Sequence, residues 1–201
     1  MRLGKPEPQN VFLNVPFDPS YEEIFIALVV ALVSLGRVPH ASLEIAETGQ
    51  GRMARIMYLI SRCRVSLHDL SRVGLPVRFN MPFELGIAYM LRHTRGKHDI
   101  ILMEKKRHRL DRTLSDLKWI EPTIHQGRPL LALSGVYDVL GRPKGNPPIE
   151  KAEHIFKQLR SKIETIRHRS SDIFNRRSFF ELAVGATELA QVAGLIRKQK
   201  T

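Results

Sequence analysis

The sequence predicts an α/β fold, a parallel sheet with helices on both faces, followed by a C-terminal helical extension. Two observations carry this. Short apolar runs bounded by turn formers alternate with longer segments of helical spacing, giving strand, helix, strand, helix, strand, helix, strand along the first half of the chain. Beyond the turn-rich, basic stretch Gly141-Arg142-Pro143-Lys144-Gly145-Asn146-Pro147-Pro148 only helical spacing remains. The 201 residues, 43% of them hydrophobic, suffice for one core plus an appendage, which predicts a domain at 1–145 and an extension at 146–201.

The elements follow in order. Val11-Phe12-Leu13-Asn14-Val15 is an apolar run ending at Pro16, the composition of a central parallel strand. Residues 21–35 read as a helix, with Asp18 or Ser20 placed to cap it and Gly36 at its far end. Its apolar run, 24–35, is about 12 residues where roughly 20 are needed to span a bilayer. It follows Glu22-Glu23 rather than a basic start, so neither a membrane span nor a secretory signal is expected. A second strand is predicted at 38–43. Met53, Ile56, Met57 and Ile60 mark one stripe of a helix over 53–62. A third strand at 65–70, a third helix at 83–92 and a fourth strand at 99–103 complete the alternation, which calls for right-handed crossovers. A short helix at 114–119 and an edge strand at 123–125 follow.

In the extension, Ile149, Ala152, Phe156, Leu159, Ile163 and Ile166 form one helical seam. At about two heptads it falls short of a coiled coil, so it reads first as a helix packed on its own domain and second as a dimer contact. A last helix over 179–196 ends in Arg197-Lys198-Gln199-Lys200, cations suited to its negative end.

Charge and composition narrow the function classes. Lys and Arg number 32 against 20 Asp and Glu, a net charge of +12, so nucleotides and nucleic acid are electrostatically suited partners. The clusters Lys105-Lys106-Arg107-His108-Arg109 and Arg167-His168-Arg169 stand out, but few aromatics lie near them in sequence, so single-strand stacking is not signalled. The one cysteine, Cys63, excludes an intrachain disulfide and reads as a small buried hydrophobe; a reducing, cytoplasmic setting fits. The eight histidines are scattered without metal-ligand spacing, so no metal is expected. No glycine-rich phosphate loop follows a strand, which argues against a P-loop enzyme or a dinucleotide-binding dehydrogenase.

The stretch Arg78-Phe79-Asn80-Met81-Pro82-Phe83-Glu84-Leu85-Gly86 follows the strand end His68-Asp69-Leu70. It places Glu84 in the first turns of a helix beyond the carboxyl end of a buried strand, where open α/β sheets bind ligands. Free amides and the helix dipole there favour an ionised carboxylate, a nucleophile or electrostatic stabiliser rather than a proton donor. Asp69 reads equally as a pocket acid or a turn cap, and His68 as a packed or capping histidine before a catalyst. Asn14 and Asp18 also suit turns around Pro16 and Pro19. Arg72 and Arg78 are placed to hold phosphates or pair with Asp69. Glu44 and Glu47 either reach the same crevice or form a solvated loop.

Phe12-Leu13-Asn14-Val15-Pro16-Phe17-Asp18, His68-Asp69-Leu70-Ser71 and Asn80-Met81-Pro82-Phe83-Glu84-Leu85-Gly86-Ile87-Ala88 together resemble nucleoside 2-deoxyribosyltransferases and the related TIR-like domains of bacterial defence proteins, over residues 11–105. The resemblance implies a flavodoxin-like doubly wound sheet, cleavage or transfer of the N-glycosidic bond of a nucleotide such as NAD, and no cofactor besides that ligand. It also implies a homo-oligomer, because such sites are often completed by a neighbouring subunit. Glu84 becomes the catalytic carboxylate and Asp69 a substrate-positioning acid, with Asn14, Pro16, Phe17, Asp18, His68, Arg78 and Asn80 around the nucleoside. A nucleotide-sensing module without turnover and a basic nucleic-acid binder stay open beside it. The chemistry is consistent: breaking the bond builds positive charge on the sugar, which asks for an ionised carboxylate as nucleophile or ion-pair partner. Nicotinamide leaves without protonation, whereas adenine or guanine wants an acid, for which Asp69 and His68 are candidates.

Overall fold

The computed structural model describes residues 4–45, 51–72, 79–117, 119–141, 145–167 and 170–197. Along the chain run β1 (Glu7–Asn14), α1 (Glu22–Ser34), β2 (Val38–Ala41), α2 (Arg52–Arg62), β3 (Cys63–Asp69), α3 (Asn80–Arg95), β4 (Asp99–Glu104), α4 (Leu110–Thr113), β5 (Thr123–Ile124), α5 (Pro129–Leu140), α6 (Ile149–Ser161), α7 (Ile163–Arg167) and α8 (Arg176–Val192). They fold into two compact units, one containing the chain up to Pro16 with His40–Gly127, the other Phe17–Pro39 with Arg128–Thr201.

The first unit carries the five-stranded sheet apart from Val38 and Pro39 of β2, all parallel, in the order β2-β1-β3-β4-β5. This is the flavodoxin-like order, with its switch point between β1 and β3. Val11 pairs with Val65, Leu13 with Leu67 and Asn14 with His68, while Asp69 pairs with Met103 on the other side. Both neighbours of β3 are strands, which explains its near-continuous burial. Helices α2 and α3 pack on each other and on the sheet, and Phe12, Ile60, Leu85, Leu91, Ile100 and Leu102 lie in the core between them. Ile56 and Ile60 are buried as predicted, but Met53, in the first turn of α2, is exposed. Helix α3 starts at Asn80, earlier than its apolar periodicity begins; Pro82 is tolerated in the first turn because its missing amide has no helical partner there. The segment predicted as a helix over 114–119 is a 3-10 turn, Ser115–Leu117, preceded by the one-turn α4.

The second unit is helical. Helix α1 is buried from Ile24 through Ser34, and α5, α6 and α8 pack against it, as a helix with no polar face requires. The expected side-chain cap is absent: Asp18 instead accepts a hydrogen bond from the Ser20 hydroxyl and opens a 3-10 turn, Pro19–Tyr21. The far end is as expected. Gly36, at φ +69°, lets its amide reach the Val33 carbonyl and that of Arg37 reach Leu32, both at 2.9 Å, closing the last turn. Glu22, buried at the start of α1, accepts hydrogen bonds from Arg167 and from the Ile173 amide (2.9 Å). Phe17, Phe25, Phe174 and Phe179 form an aromatic cluster with ring centroids 5.4–6.1 Å apart.

The division therefore differs from the boundary expected at residues 145/146. Helix α5 lies before that boundary yet belongs to the second unit, as does α1. The seam residues Ala152, Phe156 and Leu159 are buried in α6, whose partners within this unit include α1 and α8. The seam is not one helix, since Lys162 separates α6 from α7. Among the described residues no helix is long and apolar enough to cross a membrane.

Candidate functional site

The carboxyl ends of β1 and β3, side by side at the switch point, position the polar residues of the first unit. Asn14 and His68 are register partners, and the Asn14 amide nitrogen lies 2.9 Å from His68 Nδ1 while donating to the Met81 carbonyl at 2.8 Å. One side chain thus ties both strand ends to the first turn of α3. The contacts continue inward: His68 Nε2 lies 2.8 Å from Ser66 Oγ, Ser66 Oγ 2.9 Å from His98 Nε2, and His98 Nδ1 3.1 Å from the Cys63 carbonyl. A carbonyl only accepts, so His98 carries its proton on Nδ1 and its Nε2 accepts from Ser66. Ser66 then accepts from His68 Nε2–H, and His68 Nδ1 accepts from Asn14. Both rings are neutral, because burial pushes His68 down to about 3 and His98 down to about 4 from 6.5.

Glu84 sits on the inward stripe of α3 with Met81, Leu85, Ala88 and Leu91, and is only 4% exposed. The Phe83 amide already closes onto the Phe79 carbonyl at 3.2 Å, so Glu84 lies past the free amides of the helix end. This corrects the expectation of a dipole-held anion. Burial pushes the Glu84 carboxyl up to about 7 from 4.5, against the Arg52 charge and a hydrogen bond from Asn80 that favour ionisation. Arg52 begins α2 and donates to the Ile45 carbonyl at 3.1 Å. Near neutral pH the group is poised between acid and base.

Asp69 is committed elsewhere. It is fully buried, one oxygen accepts from the Ser71 amide at 2.8 Å, and the other lies 2.9 Å from His125 Nε2. Ser71 Oγ is also 2.9 Å from His125 Nε2, and the Gly127 amide donates to His125 Nδ1 at 3.1 Å. Serine, histidine and aspartate meet here, but not as a nucleophilic triad. Such a triad uses opposite ring nitrogens for serine and carboxylate, whereas here both share Nε2–H while Nδ1 accepts from the backbone. The cluster fastens the ends of β3 and β5. Beside it, buried Glu104 at the end of β4 pairs with Arg109, which also donates to the Leu70 carbonyl. Burial pushes Glu104 up, the Arg109 contacts opposing.

Of the residues expected around a nucleoside, Asn14, Pro16, His68, Asp69, Asn80 and Glu84 lie in the first unit. Phe17 and Asp18 belong to the second, where Phe17 packs on Phe25 and Phe174 and Asp18 on Ser20. Arg78 and Glu47 lie outside the described residues. Glu44 accepts from the Ala41 amide at 2.9 Å and lies 3.0 Å from His40 Nδ1, a local cap rather than a crevice acid. Ser66, His98, His125, Arg52 and the Glu104–Arg109 pair are missing from the sequence reading. Only Ser66 and His68 carried a signal, two polar residues two apart on one face of an apolar strand. Among the described residues no cluster of His, Cys, Asp and Glu is arranged to hold a metal ion. The chain matches no protein-family model, no curated protein and no solved structure.

Proposed function

We propose that the first unit is a TIR-like or deoxyribosyltransferase-like module that binds a nucleotide at the carboxyl ends of β1 and β3, and that Glu84 serves hydrolysis or transfer of its N-glycosidic bond. The observation that supports this reading is a buried carboxylate titrating near neutrality on the core-facing side of α3, the helix that Asn14 ties to the switch point. A carboxylate that stabilises a cationic sugar gains most from a site where water is excluded.

The commitments of the neighbouring groups narrow the substrate class. His68 is neutral with both ring nitrogens bonded, and Asp69 is buried against His125 and Ser71, so neither is a proton donor for a purine leaving group. That favours a leaving group that departs neutral from an already cationic bond, as nicotinamide does from NAD. The 4% exposure of Glu84 favours a second reading, nucleotide binding without turnover.

The deciding experiment incubates the protein, dilute and concentrated, with NAD and with nucleosides, and follows nicotinamide or base release with Glu84→Gln as control. Release from NAD that disappears in Glu84→Gln, the variant keeping its fold by circular dichroism, is the expected result; unchanged release in the variant overturns it. NAD binding without product moves the assignment to the second reading. Because the ionised form is the active one, kcat rises as pH increases through about 7.

A further inference from the structure

The β4–α4–β5 side of the first unit holds a groove of about 540 Å³ whose walls include Arg107, His108, Leu110, Trp119, Glu121 and Pro122. Trp119 is the only tryptophan of the chain and is 55% exposed. Its ring is held from α3: the Arg92 guanidinium lies 5.5 Å from the ring centroid and Tyr89 6.2 Å away. A large aromatic surface left to water but fixed in orientation is a stacking platform in search of a flat partner. The basic turn beside it divides its charges. Arg109 turns inward to Glu104, while Lys105, Lys106, Arg107 and His108 are exposed. Folding thus puts an aromatic beside a cluster that has few near it in sequence.

We propose that this groove binds single-stranded nucleic acid, one base stacking on Trp119 while Lys105, Lys106 and Arg107 follow the flanking phosphates. Three features favour this occupant. A duplex keeps its bases stacked inside and offers no free face to the ring. A lone nucleotide uses only the groove, whereas Lys105 and Lys106 are not among its lining residues and need phosphates beyond it. The net charge of +12 suits a polyanion. The acidic Glu121 in the wall is placed to accept from a base N–H, such as N3–H of uracil. The site is separate from Glu84, and its test stands whether or not NAD is cleaved.

Because Trp119 is the only tryptophan, its fluorescence reports this groove alone. Titration with a 12-residue oligouridylate is expected to quench it saturably, with an affinity that falls steeply between 50 and 200 mM salt, while uridine monophosphate and a duplex of equal length leave it unchanged. Anisotropy of a labelled oligouridylate then reads the variants. Trp119→Ala is expected to weaken binding at least fivefold, Trp119→Phe less, and Lys105→Glu with Arg107→Glu to weaken it and flatten the salt dependence. Glu84→Gln is expected to bind as the parent does. Equal quenching by the monophosphate, equal affinity for the duplex, or undiminished binding by Trp119→Ala overturns the proposal; should Trp119→Ala not fold, the charge variants and Trp119→Phe decide.

Discussion

A carboxylate on the apolar stripe of a helix is costly, and Glu84 shows by how much. Its folded value, about 7, lies above the ordinary 4.5, so the folded protein holds a proton that the unfolded chain releases between those two values. Stability is therefore undiminished by this group below pH 4.5 and falls as pH rises, with the full penalty reached above about 7. The size of the shift corresponds to roughly 3 kcal/mol. Glu84→Gln removes the charge and keeps the shape, so it is expected to raise the urea midpoint at pH 8 and to leave it nearly unchanged at pH 4.5. Equal effects at both pH values would mean that the carboxyl is not strained by burial. A residue retained at such a cost, in a helix whose other inward positions are apolar, is the reason to seek a function for it.

At the scale of elements, β3 carries the polar chemistry of the first unit. Ser66 is the link between two neutral histidines, donating to His98 and accepting from His68, so Ser66→Ala leaves two buried ring nitrogens without a partner. Each unsatisfied group costs about 1–3 kcal/mol, and the variant is expected to lose roughly 2–4 kcal/mol by denaturant unfolding. Acid acts on the same pair. Both histidines have folded values below 6.5, so the unfolded chain binds the extra protons and stability falls as pH drops from 6.5 toward about 4 and 3. By pH 5 the loss is about 2 kcal/mol for each ring, and His98→Gln is expected to flatten that slope. These contacts also show where sequence reading stops. The alternation of elements, the first strand, expected at Val11–Val15 and observed as Glu7–Asn14, and the Gly36 helix end are local patterns, and the structure keeps them. Who meets Ser66, whether Asp69 faces a ligand or His125, and which side of α3 bears Glu84 depend on contacts between residues far apart in the chain. Ser66 and His98 are 32 residues apart, and no periodicity links them.

For the molecule as a whole, the discontinuous second unit matters most. The turn-rich stretch at 141–148 reads as a domain linker because glycine and proline punctuate it, but punctuation marks a break in secondary structure, not in packing. Helix α1 is apolar on every side from Ile24 to Val33, and α6 and α8, both beyond that stretch, pack against it. Burying an apolar side chain is worth about 1.5–3 kcal/mol, so several such residues on α1 outweigh the marginal stability of a domain. A chain cut after residue 145, at the boundary the sequence suggests, is therefore expected to aggregate or to lose its cooperative thermal transition, as read by size-exclusion chromatography and circular dichroism. Supplying residues 146–201 as a separate polypeptide is expected to restore solubility, because the missing helices are what α1 requires. A soluble, sharply melting 1–145 fragment would instead mean that α1 is adequately covered without α6 and α8, and that the extension is an appendage after all.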